Sequence, residues 1–176
     1  MTDREDILKE LDVRFSKTRE ELGFTSGLDE LDEHFFVRDF VLEKGYVSGD
    51  FSNQLRIRII DVLISWDNYL HGLIMPNPQN LFNLNEAKAF NEGDKQEIVK
   101  VMSRVAHFVS RNGLVRLTRD KKEEARIIDD ALKFWVDIYR PFFTKIMGKV
   151  EDHWQDVKEG KDSIEGEDLV EEKVEE

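Results

Sequence analysis

The chain contains no cysteine in its 176 residues. It therefore has no disulfide, no thiolate nucleophile and no thiolate metal ligand, and nothing in it calls for an oxidising compartment. Proline numbers 3, and two of these, Pro76 and Pro78, fall together in the turn MPNPQN. Long helices are thus left almost free of breakers. No sustained alternation of apolar and polar residues occurs, which excludes half-buried strands. No GxxxxGK[ST] and no GxGxxG occurs, so no phosphate-cradling loop is present.

Histidine is sparse, with 4 in the chain. Three residues before His34, His71, His107 and His153 stand Leu31, Asn68, Arg104 and Val150. The Glu-x-x-His spacing that builds metal sites in helical bundles is missing. There is no HExxH either. No metal, no cofactor and no catalytic residue is assigned, and the sequence leans away from an enzyme.

Hydrophobic runs long enough to span a membrane are also wanting. The best candidate, residues 55–75, holds Arg56, Arg58, Asp61, Asp67 and His71. A buried helix of a soluble protein is the better reading, with no membrane segment. The first residues, MTDREDILKELD, are acidic and amphipathic, unlike a signal peptide, so a cytoplasmic location is expected.

What is present is helical periodicity. The segment from Phe51 to Met75 places Leu55, Ile59, Val62, Leu63, Trp66, Leu70 and Leu73 on one face at 100° per residue. Ile57, Ile60 and Ile64 widen that surface, so neighbours must cover it on most sides. It is the expected central helix. Around it the sequence predicts a first helix from Asp3 to Leu22 and a second from Thr25-Ser26 to Gly45. A short helix is expected over 83–92, and one from Lys95 to Arg111 stopped by Asn112-Gly113. A last long helix runs through Pro141 to Trp154, either kinked there or restarted with proline at its first position. Leu114 to Leu117 reads as a brief extended or turn segment. The fold class expected is all-α: a single-domain helical bundle of five or six helices over residues 1–158, with the central hydrophobic helix at about 51–75. Residues 159–176, acidic and poor in large apolar side chains, are expected to form a disordered tail.

Charge is unevenly laid out. The net charge is −12. Residues 1–94 carry −9, residues 95–149 carry +6, and residues 150–176 carry −9. On the predicted helix 95–111, Lys100, Arg104, His107 and Arg111 share a side away from the core residues Ile98, Val101, Val105 and Phe108. Arg116, Arg119, Lys121, Lys122 and Arg126 follow. These nine residues are the candidate ligand- or anion-binding set. Their ordinary reading is a solvated face, diluted by Glu97, Asp120, Glu123 and Glu124. A second candidate is a polar pocket on the central helix formed by Arg58, Asp61, Asn68, Asp67 and His71. Its ordinary reading is the solvated or ion-paired edge of a buried helix, which is preferred.

Three functions follow, in order of preference. The first is a non-enzymatic helical interaction or adaptor protein with a basic helix face and an acidic tail, its partner another protein. The second is a nucleic-acid-associated protein using the 100–126 basic stripe, which the net charge disfavours. The third is an enzyme or small-ligand binder using the central-helix pocket. The sequence does not fix an oligomeric state.

Overall fold

The computed structural model describes residues 4–162. The segment 163–176, most of the predicted acidic tail, lies outside the described residues. Among the described residues there is no strand. The helices are α1 (Arg4–Leu22), α2 (Leu28–Phe35), α3 (Val37–Lys44), α4 (Phe51–Ile74), α5 (Leu81–Lys88), α6 (Glu92–Thr118), α7 (Lys121–Phe134) and α8 (Arg140–Lys158), with a π-helical segment at Trp135–Tyr139 between the last two. The all-α class holds. The number of helices exceeds the five or six expected, because two predicted helices are each broken into two.

The first break is at Phe36, whose φ of 53° is left-handed. Its N–H still closes on Asp32 O at 2.9 Å, ending α2. Asp32 then turns outward and takes the Arg38 N–H at 2.7 Å, so one carboxylate caps the start of α3. The second break lies upstream of Pro141. Proline offers no N–H and crowds the carbonyl four residues back, that of Asp137. The chain answers with the wider π turn around Asp137 and restarts as α8 with Pro141 in its first turn.

Two compact units emerge. One comprises the chain up to Ser65 together with Val105–Ile138; the other comprises Trp66–Arg104 together with the chain from Tyr139 onward. In the first unit α1 packs on α3 and α7. Leu11, Leu31, Phe35, Val41, Leu55, Ile59, Leu63, Ile127 and Ile128 are almost wholly buried there. Phe15 stands edge-on to Phe24 and to Phe51. The second helix was expected to start at Thr25-Ser26; it starts at Leu28, and Thr25 and Ser26 bind Asp129 of α7. Both backbone N–H groups and both hydroxyls donate to its carboxylate at 2.6–3.1 Å. Burial works against the Asp129 charge, but these hydrogen bonds outweigh it and hold its pKa below the usual carboxylate value.

In the second unit α5 lies on α8. Leu70, Leu73, Ile98, Tyr139, Ile146 and Val150 form its interior. Asn91 and Asp94 exchange backbone-to-side-chain hydrogen bonds at the start of α6, a reciprocal cap.

The central-helix face is buried as expected at Leu55, Ile59, Val62, Leu63, Leu70 and Leu73. Trp66 departs from it, being 43% exposed. Its ring meets Phe143 edge-on at 4.9 Å. No helix of the described residues is long and apolar enough to cross a membrane.

Candidate functional site

The basic stripe was expected on a helix ending at Arg111. The helix runs on to Thr118, and the reason is Arg56. This arginine is 1% exposed in the first unit. Its Nη1 donates to Asn112 Oδ1 at 2.6 Å. Its Nη2 lies 3.7 Å from Glu124 Oε1, and Glu124 Oε2 accepts from the Ser52 hydroxyl at 2.6 Å. Asn112 is thereby turned inward and does not act as a helix stop. Gly113 takes no left-handed backbone; that role passes to Arg119, with φ 57°. Asp120 then caps α7 through the N–H groups of Lys122 and Glu123. Burial lowers the Arg56 pKa, and the Glu124 carboxylate opposes that shift.

Extending α6 through Leu114 and Leu117 changes the face it presents. In the first unit Ala106, Ser110, Gly113, Leu114 and Leu117 are all exposed, Leu114 at 61% and Leu117 at 83%. None carries a charge. They recur at three- and four-residue steps, so they form one strip along the helix. It lies between the buried side of Val105, Phe108 and Val115 and the basic side. The sequence held a signal for it, namely continuation of the helical phase past Gly113.

The basic candidates separate into two sets. Arg111 is held by Glu123, at 2.6 Å from Nη2, and by Asp130, at 2.9 Å from Nη1. Its guanidinium also sits over the Phe108 ring. Burial works against its charge, yet the hydrogen bonds to Glu123 and Asp130 outweigh it and raise its pKa. Arg119 pairs with Asp50 at 3.0 Å and Arg126 with Glu123 at 3.6 Å. His107, Arg116, Lys121 and Lys122 are exposed. Among the described residues no carboxylate pairs with Arg116, Lys121 or Lys122. Lys100 and Arg104, both exposed, belong to the second unit.

The pocket candidates on α4 are likewise divided. Arg58 and Asp61 belong to the first unit, and Asp67, Asn68 and His71 to the second. Arg58 donates from Nε to Phe35 O at 2.6 Å, at the C-terminal end of α2 where a cation is favoured. It also lies over the Phe36 and Phe40 rings. Asp61, Asn68 and His71 are exposed. Asp67 is half-buried, and its Oδ1 is buried with no hydrogen-bond partner among the described residues. Burial pushes its pKa up to about 6, against a smaller opposing effect of His71.

Among the described residues no group of three His, Asp or Glu side chains gathers as a metal site would require. No protein family, no curated protein and no solved structure matches this chain. Its surface offers an uncharged strip on α6 with a cationic corner where α6 meets α7.

Proposed function

We propose that this chain is a non-enzymatic helical interaction module. It binds an acidic, apolar-studded segment of another protein across the outer face of α6. The observation that carries this reading is the exposure of Leu114 and Leu117 on α6, with the exposed cations Arg116, Lys121 and Lys122 close to them in the sequence. Two exposed leucines one turn apart, next to a small residue at Gly113, let a partner helix or extended segment approach closely. The cations choose the partner's sign and speed its encounter, as rim charges do.

Nucleic-acid association, the second reading, is less well supported. Arg111, Arg119 and Arg126 are committed to carboxylates of the chain itself, and phosphate binding needs such cations free. An enzyme built on the α4 polar residues is weaker still, since Asp61, Asn68 and His71 face solvent.

A display library of short helical peptides, sorted against the full chain, tests the proposal. Counter-sorting uses the variant Leu117→Asp with Lys121→Glu. Enriched peptides should carry Leu or Phe at three- and four-residue spacing with Asp or Glu between, and should lose binding to the variant. Peptides that bind wild type and variant equally, or no enrichment at all, would overturn the reading.

A further inference from the structure

A second surface stands in the other unit and has the opposite charge. One face of α8, with Glu86 of α5 at its edge, lines an open groove of about 720 Å³. Along α8 it runs from Thr144 to Lys158, about 21 Å at the helical rise. Val150 forms its buried floor. Met147 and Trp154 supply apolar wall, and the Phe82 ring, 72% exposed, stands 5.8 Å from that of Trp154.

Two features of the groove bear on what it could hold. The first is Gly148, in the middle of α8. Glycine is the poorest helix former after proline. A side chain at this position would meet nothing within 4 Å, so internal packing gives no reason for its absence. The second is Glu86. Its Oε2 accepts from the Tyr69 hydroxyl at 3.0 Å and its Oε1 from Trp154 Nε1 at 3.2 Å. Burial, aided by the Glu86 charge, raises the Tyr69 pKa and keeps that hydroxyl a donor. The carboxylate is thus fixed in place, and among the described residues it accepts no third hydrogen bond. Glu151, exposed, adds a second negative charge to the lining, against the single Lys158.

We propose that this groove docks an amphipathic helix of a partner protein that carries small or apolar residues on one face and Lys or Arg beside them. The length suits a helix of about four turns. Gly148 is where its backbone comes closest, Met147 and Trp154 meet its apolar side chains, and Glu86 and Glu151 receive its cations. This surface differs from the α6 face in position and in the sign of the partner it selects.

Two synthetic 18-residue helices test it by fluorescence anisotropy against the full chain. They share a Leu/Ala stripe; one bears Lys on its polar face and the other Glu. The Lys helix should bind saturably. Gly148→Trp should weaken it at least tenfold and Gly148→Ala about threefold, although the alanine raises the melting temperature. Glu151→Lys should weaken it and flatten its salt dependence. Binding of the Glu helix, which reports on the α6 face, should be unchanged by Gly148→Trp. Because that substitution alters no charge, Lys-helix binding within twofold of wild type would mean unspecific attraction to an acidic protein and would overturn the proposal. Where Gly148→Trp loses its circular dichroism, unchanged affinity of Gly148→Ala overturns it instead. A concentration-dependent dimer abolished by Gly148→Trp would assign the groove to a second copy of this chain and overturn it too.

Discussion

Arg56 and Asn112 are joined by a 2.6 Å hydrogen bond in a place almost sealed from water. The bond ties α4 to α6 and decides where α6 ends. Glu124 completes the arrangement from α7. Among the described residues Arg56 Nε has no partner, so the guanidinium depends on the two its other nitrogens have.

Removing one member should therefore cost more than removing the charge pair. Asn112→Ala leaves a buried cation short of an acceptor and should destabilise by about 2–3 kcal/mol. Arg56→Met strands Glu124 and should cost about 3–5 kcal/mol. The double substitution Arg56→Met with Glu124→Gln should cost less than the sum of its singles. Urea denaturation of the four proteins measures this. Strict additivity would mean Arg56 and Glu124 are not coupled.

Asp67 sets a pH dependence. Its carboxyl has a pKa of about 6 in the folded chain against an ordinary 3.8, so the folded state holds its proton more tightly than the unfolded one. That contribution is fully present below pH 4 and is lost as pH rises to about 6. The loss should be roughly 2 kcal/mol, somewhat below the full value of two pK units because the group is half-buried. Asp67→Asn should remove this slope and be the more stable protein at pH 7. Stability measured from pH 4 to 7 in both proteins checks it; parallel curves would count against a buried carboxyl.

Trp66 shows how far periodicity reaches. On the 100° projection it belongs to the same face as Leu63 and Leu70, and a fully buried tryptophan would lose about 3–5 kcal/mol on truncation. At 43% exposure with one edge-on partner, Trp66→Ala should lose only about 1–2 kcal/mol. Thermal or chemical denaturation decides between the two values. Periodicity names the face of a helix, but which neighbour covers each turn of it is a tertiary matter.

The same distinction runs through the rest of the chain. The long helices, the apolar face of α4 and the all-α class follow from local spacing and were legible. Helix ends that depend on distant partners were not. Asn112-Gly113 has the composition of a helix stop, and only the contact with Arg56, 56 residues away in sequence, overrides it. Thr25 and Ser26 have the composition of a cap, yet Asp129 claims them. The nine basic candidates were legible as a cluster, but their neutralisation at Arg111, Arg119 and Arg126 depends on where α7 and Asp50 come to lie. Arg56 falls between Leu63 and Ile60 on the 100° projection, but the groups that receive its charge, Asn112 and Glu124, are set by tertiary packing.

Gly113 offers a direct test of that override. Its backbone is not left-handed, and an added Cβ would meet nothing. Gly113→Ala should therefore raise stability by about 0.5–1 kcal/mol, the helix-propensity gain. A glycine serving as the left-handed stop would instead lose stability on the same change, since alanine strains at positive φ. A rise in melting temperature supports the continuous α6, and a fall supports the shorter helix.

The last prediction concerns charge at the end of the chain. Residues 163–176 hold seven acids and one lysine, a net −6, so deleting them brings the chain from −12 to −6. They are tethered to a body whose α6–α7 corner presents Arg116, Lys121 and Lys122. The acids share one chain with those cations, so they are expected to compete with any acidic partner of the α6 face. The competition is electrostatic and is screened over a Debye length of about 8 Å at physiological salt. The deleted protein should keep its helical circular dichroism, because the only large apolar residues removed are Ile164, Leu169, Val170 and Val174. It should bind an acidic amphipathic helix about three- to tenfold more tightly than the full chain at low salt, a gap that shrinks toward nothing as salt rises. Titration of both proteins at 20 and about 300 mM salt, well inside and beyond the range of screening, checks this. Equal affinities at both would mean the terminal acids do not act on the α6 face.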